Sequence, residues 1–287
     1  MQTLSHKKVR PMEKFLLGVI YLSAFFSVLL LLGIILYVFA KGVGTVNWTF
    51  LTTVPSALKG TVGIAGNIVN TLYIVCLTLV IVTPIGVCAA IYLNEYAKPG
   101  RLVRLIEFTT ETLSGIPSII FGLFGMVFFL TLHMGYSLLT GSLTLAIMTL
   151  PLITRNTQEA LKTVPESYRS GALGMGATKW HMIRTILLPS AMPGIVTGVI
   201  LAVGRIVGES AALLFTAGSG YLLPKAGIGL IKKIMESGGT LTIQLYLSMS
   251  KAEYDTAFGI AVVLLAVVLV INLLTKYLAS RLDVNHK

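Results

Sequence analysis

Six long apolar runs decide what this sequence can fold into. They span 16–39, 67–92, 108–132, 138–153, 191–215 and 257–278. Most match the roughly 20 residues that a helix needs to cross about 30 Å of hydrocarbon. Lipid offers the backbone no hydrogen bonds, so each run must satisfy its own N–H and C=O groups as a helix. A spanning β-barrel would show alternating strands instead of unbroken apolar runs. Only 11% of the residues are charged and the mean hydropathy is +0.87. A soluble domain of this size carries about a quarter charged residues. The fold class expected is therefore an all-α polytopic membrane protein, with a tail over 1–15 and one six-span domain over 16–287. The first run is too long for a signal peptide and no small-x-small cleavage site closes it. Pro84 and Gly86 interrupt the second run. Ser114, Gly115, Ser118 and Gly122 give the third a small-residue face suited to close helix packing.

Charge sets the expected orientation. Of the 22 Lys and Arg residues, 15 fall in the two tails and in the second and fourth loops, counting Lys276 at the end of the sixth run with the carboxyl tail, and 6 in the other loops. Cationic loops stay on the cytoplasmic side. Both termini and the loop after the fourth run are thus expected to be cytoplasmic, and the long Gly-rich segment 216–256 external. The localisation, the bacterial cytoplasmic membrane, is what the family resemblance given below implies. The net charge of +11 is read as this topology signal, since no basic patch with interleaved aromatics points to nucleic acid. Cys76 and Cys88 lie in one apolar run and are expected to be buried free thiols. His6, His133, His181 and His286 form no ligand set. No G-x-x-x-x-G-K-[ST] occurs, so ATP chemistry would sit on another chain. No nucleophile elbow, HExxH or Cys/His cluster occurs either, and neither enzyme activity nor a cofactor is expected.

The stretch 164–189, VPESYRSGALGMGATKWHMIRTILLP, looks soluble yet lies between two spans. Pro165 suits a helix start and Glu166 favours its positive end. Gly176 can end that helix in a turn, after which a second short helix would carry Trp180 and Ile183. The spacing resembles the EAA loop of ABC importer permeases: EAA, three residues, Gly, nine residues, I-x-L-P. Ser170-Gly171-Ala172 stands at the EAA position, Gly176 at the glycine and Ile186-Leu187-Leu188-Pro189 at the end. The resemblance implies a MetI-like permease fold in which this loop sits in a groove of an ATPase subunit. Ser170, Gly171, Ala172, Gly176, Ala177 and Trp180 would be the docking residues. Ser170 replaces the family's glutamate, which removes a specific ion pair to the ATPase and leaves the steric fit.

Charges inside the spans are costly and mark function or pairing. Arg205 and Glu209 in the fifth run are four residues apart and would share one helix face. Gly194-x-x-x-Gly198 and Gly204-x-x-x-Gly208 beside them would admit a neighbouring helix. Two roles are open: a self-neutralising structural pair, or an anion path in which Arg205 binds substrate and Glu209 tunes it. A guanidinium matches phosphate-type oxyanions. Arg155 is a second candidate, either as ligand or as a snorkelling anchor, with Glu159 its i+4 partner. Glu107 and Glu111 read as interface charges.

GRIVGESAALLFTAG, LSGIPSIIFGLFG and LPLITRNTQEALKTVP resemble the fifth, third and fourth spans of the PstA family of phosphate permeases. The companion PstC family is similar, and the short amino-terminal region favours the former. The resemblance implies phosphate import with a PstC-like second permease, two PstB-like ATPases and a PstS-like extracytoplasmic binding protein. The alternatives are a permease for phosphonate, molybdate or sulfate, the PstC-type subunit or, outside the family, a secondary transporter.

Overall fold

A computed structural model describes residues 11–56, 61–224 and 229–282. The tail 1–10 and the last five residues, 283–287, lie outside the described residues. The chain is helical, and among the described residues the only β feature is an isolated bridge between Ser56 and Thr61. In order come α1 (Pro11–Gly42), α2 (Trp48–Thr52), α3 (Ala65–Ile91), α4 (Arg101–Ser114), α5 (Ser118–Thr131), α6 (Leu138–Lys162) and α7 (Glu166–Gly174). Then follow α8 (Lys179–Met182), α9 (Leu188–Gly208), α10 (Ala211–Thr216), α11 (Gly229–Lys232), α12 (Leu241–Ser250) and α13 (Tyr254–Leu282). Five helical stretches are long and apolar enough to cross a membrane, or six when α4 and α5 count as one broken span.

Small residues hold the bundle together, because lipid tails are as apolar as Leu and burying Leu against Leu gains little there. Gly86 of α3 lies against Ile153 of α6, and Gly194 and Gly198 of α9 against Ala160 and Asn156 of the same helix. Each contact is too close for a Cβ without movement. Around this seam Ile74, Leu145, Met148, Val203 and Ile206 form the central core. The first helix, α1, stands apart. It touches α13, with Gly42 against the Phe258 backbone and Tyr37 edge-on to the Phe258 ring, and is otherwise exposed along its length. A helix apolar all round suits lipid or another subunit on every side.

Three expectations change. The third run is not one helix: α4 and α5 meet at 104° around Gly115–Pro117. Pro117 disfavours helical backbone at the residue before it, and Gly122 packs on the Ala212 backbone, fixing α5 on α10. Gly122 therefore serves the packing face, while Ser114 and Gly115 sit at the corner, exposed. The fifth run also breaks. Helix α9 ends at Gly208, Glu209 is extended with ψ 124°, and α10 starts anew. Finally, Cys76 and Cys88 are free but exposed on the chain's surface rather than buried.

The described parts of the segment 216–256 are tied to the bundle by hydrogen bonds. Asn67 Nδ2 donates to Gly239 O at 3.0 Å, and Asn70 Nδ2 to Gly220 O at 2.9 Å. Leu241 N donates to Thr71 Oγ1 at 3.0 Å. Thus one end of α3 holds this segment, and Leu241 and Ile243 of α12 are buried. Lys233 is buried too, its Nζ 3.5 Å from Glu236 Oε2.

Candidate functional site

The connector between α6 and α9 forms one surface. Helix α7 ends in a Schellman turn: Ala177 N bonds Ala172 O at 3.1 Å and Gly176 N bonds Leu173 O at 3.0 Å. Gly176 has φ +83°, the left-handed region that glycine enters without strain. Thr178 then caps α8, its side chain accepting from His181 N at 3.3 Å. The second helix does not stop; a π-helical turn over Ile183–Leu187 carries it into α9, so Lys179–Gly208 runs as one helix. Ser170, Gly171, Gly176 and Trp180 are exposed, and Ala177 is half-buried. Ala172 is different. It is buried with Leu161, Val164, Met182 and Ile183 in a small core beneath the connector. It supports the surface from below and does not present itself to a partner.

Arg205 defines the second place. Since α9 lies antiparallel on α6 with Gly194 at Ala160 and Gly198 at Asn156, Arg205 stands level with Thr149. At 1.5 Å per residue that is about 16 Å from the Leu138 end of α6, well inside a helix long and apolar enough to cross a membrane. Arg205 is half-buried and, among the described residues, makes no hydrogen bond or ion pair. Leu201, Gly204 and Gly208 beside it are exposed, and among the described residues nothing beyond their own stretch of helix lies within 4 Å of where a Cβ on either glycine would be. The expected pair with Glu209 is not formed, because the break after Gly208 takes Glu209 off the face of α9. Instead Glu209 Oε1 accepts from Ala212 N at 3.1 Å, capping α10, and its carbonyl accepts from Thr242 Oγ1 at 3.0 Å.

Arg155 sits elsewhere. It is about 9 Å further along α6 toward the connector, with Nε 3.3 Å from Glu159 Oε1 and Nη1 3.8 Å from Glu111 Oε1. The cleft of roughly 250 Å³ around it is lined by Glu107, Glu111, Glu159 and Lys162 among others. Three carboxylates there outnumber two cations, a poor setting for an anion. The i+4 partnership with Glu159 is present, and Glu107 and Glu111, both exposed, line the same cleft.

Sequence reading missed one cluster. Arg169 of α7 reaches Glu95, which lies in a π-helical turn over Tyr92–Tyr96 that extends α3. No local pattern links residues 74 positions apart; the one available cue was a carboxylate and a guanidinium both beside cytoplasm-type loops.

The family model for the binding-protein-dependent transport system inner membrane component matches residues 82–284. The probable ABC transporter permease protein YqgI of Bacillus subtilis is 38% identical over 207 residues, 72% of this chain and 70% of that protein. The phosphate transport system permease protein PstA of Haemophilus influenzae is 34% identical, over 74% of this chain and 75% of that protein. Among solved structures, a chain of a bacterial alginate ABC transporter in complex with its pentasaccharide-bound periplasmic protein is similar with a TM-score of 0.67 at 16% identity. The similarity covers 95% of this chain and 96% of that one. A chain of the MetNI methionine ABC transporter gives 0.57 at 22%, over 77% and 94%. These structural likenesses speak for the fold. Taken with the sequence matches, they place this multi-pass chain in the family of binding-protein-dependent transport system inner membrane components, the ABC importer permeases.

Proposed function

We propose that this chain is one of two permease subunits of an ATP-driven importer of inorganic phosphate. Arg205 carries the reading. An arginine inside an apolar span costs at least about 2.5–3.5 kcal/mol on insertion scales, and this one makes no hydrogen bond or ion pair among the described residues. The face that bears it, with Gly204 and Gly208, therefore fits a water-filled path beside a second, PstC-like subunit better than it fits lipid. A phosphate would meet two or more guanidinium donors there. The relatives named PstA support the choice of phosphate over other oxyanions. Glu209 acts on the path as the cap that ends α9 just beyond Arg205. Arg155 is paired with Glu159 in the exposed cleft between α4 and α6.

The connector is the surface for PstB-like ATPases, with Ser170, Gly171, Gly176, Ala177 and Trp180 in the contact and Ala172 beneath. That places the connector end of the bundle and both termini in the cytoplasm, and the segment 216–256 outside, where a PstS-like binding protein delivers substrate. ATP is hydrolysed by the partner chains, and this chain supplies the path.

The test is transport by proteoliposomes containing the complete complex and its binding protein. Uptake of radiolabelled phosphate should require ATP. Excess unlabelled phosphate should abolish it, while phosphonate, molybdate and sulfate should leave it intact. Competition by one of those ions at equal concentration would transfer the assignment to that ion.

A further inference from the structure

We propose that Arg169 is a positioning residue that locks the connector to α3, so that α3 carries the ATPase stroke to the external segment 216–240. This rests on the docking reading above and extends it. Helix α7 is poorly held by packing, since Ala172 is its one buried residue. Arg169 supplies the missing hold. Its Nη2 lies 3.0 Å from Glu95 Oε1 and 2.9 Å from Leu161 O, and its Nη1 3.0 Å from Val164 O and 3.2 Å from Glu166 Oε2. Nε is 3.3 Å from Glu95 Oε1 as well. The guanidinium thus spends its planar fork on three elements at once: the turn that ends α3, the end of α6 and α7 itself. The pair is largely buried, with 13% of the Arg169 side chain and 5% of Glu95 exposed. Asn94 Nδ2 also donates to Glu95 Oε1, at 2.7 Å, fixing the carboxylate.

A second tie runs parallel to the first. Lys179 Nζ stands 4.9 Å over the Tyr96 ring, joining α8 to the same turn. Both ties end on the extension of α3, not on a loop. From there α3 runs without interruption to Asn67, Asn70 and Thr71, the three side chains that grip Gly220, Gly239 and Leu241. Displacement of α7 by an ATPase is therefore passed to a helix whose far end holds the external segment by side-chain hydrogen bonds. With the Glu95 charge removed, α7 could shift while α3 stays.

The experiment uses the full complex with its ATPases. A reporter cysteine at Leu222→Cys, an exposed position two residues from Gly220, is introduced with Cys76→Ser and Cys88→Ser. Its maleimide labelling rate is measured with and without MgATP. Glu95→Gln keeps the shape of the carboxylate and Arg169's bonds to Leu161 and Val164. The expected result is ATPase recovery and ATP hydrolysis as in the parent, with the ATP-dependent change in labelling reduced about fivefold or more, the lower end of ordinary coupling between sites. Arg169→Lys, which retains charge but not the fork, should fall between the two. An unchanged labelling response in Glu95→Gln overturns the proposal. So does loss of the ATPases from that variant, which would make the pair a plain anchor, or a parent complex that binds ATPases yet shows no response at Leu222→Cys. A parent chain that recovers no ATPase at all refutes the docking reading instead.

Discussion

Arg205→Gln separates a substrate ligand from a structural charge. Were Arg205 half of an ion pair, its removal would strand a buried carboxylate, at about 3–5 kcal/mol. The structure leaves nothing to strand, because Glu209 is engaged with Ala212 N and Thr242 instead. Removing this guanidinium from an apolar span should if anything ease insertion, by up to the roughly 2.5–3.5 kcal/mol its charge costs. Complex abundance should therefore be at least that of the parent. Transport should behave otherwise. Two charge-assisted hydrogen bonds to phosphate are worth about 3–6 kcal/mol together, so their loss lowers uptake about a hundredfold or more. Glu209→Gln keeps the oxygen that caps α10 and should cost under about 1 kcal/mol. The assay is phosphate uptake normalised to complex recovered from the membrane, for both single variants and the double. Near-normal uptake by the double variant would refute the substrate role. A loss of abundance in Arg205→Gln, restored by adding Glu209→Gln, would show that the pair exists and that the reasoning fails.

Other expectations follow from single contacts. Gly122→Ala would place a Cβ 2.7 Å from Ala212 Cα and 3.1 Å from its carbonyl oxygen, an overpacking worth about 1–3 kcal/mol. A thermal unfolding midpoint unmoved by this change would mean that α5 does not rest on α10. At Gly176 the φ of +83° makes any side chain strained by about 1–2 kcal/mol. Gly176→Asp adds a charge on the exposed connector, and ATPase co-purification should drop; full recovery would count against docking there. For topology, Met175→Cys and Leu222→Cys, both exposed, should react with a membrane-impermeant thiol reagent from inside and from outside respectively. The reverse pattern would invert the assigned orientation.

The connector was legible because its signals are local. A left-handed turn suits Gly176, and the bonds that close the Schellman turn, from Ala177 to Ala172 and from Gly176 to Leu173, stay within six consecutive residues. The breaks were not. Pro84, Pro151 and Pro193 all lie inside continuous helices, so Pro117 alone could not announce a 104° corner. Glu209 follows no proline, and the four-residue spacing from Arg205 placed it on the same face only while α9 was taken to continue. Exposure of Cys76 and Cys88 was equally hidden: an apolar helix carries no mark of which side meets lipid.

What the sequence determined by itself is the solvent, since unbroken apolar runs permit nothing but helices in lipid. It also determined the uneven spread of Lys and Arg among the loops and the turn chemistry of the connector. The tertiary structure decided which charges meet. Arg205 lost its neighbour because α10 docks under α5 and pulls Glu209 into a cap. Arg169 gained Glu95 because α6 packs along α3 and brings their ends together. Hydrophobic patterning specifies that a segment crosses, while the partners of its polar groups depend on how closely glycine and alanine let the helices approach.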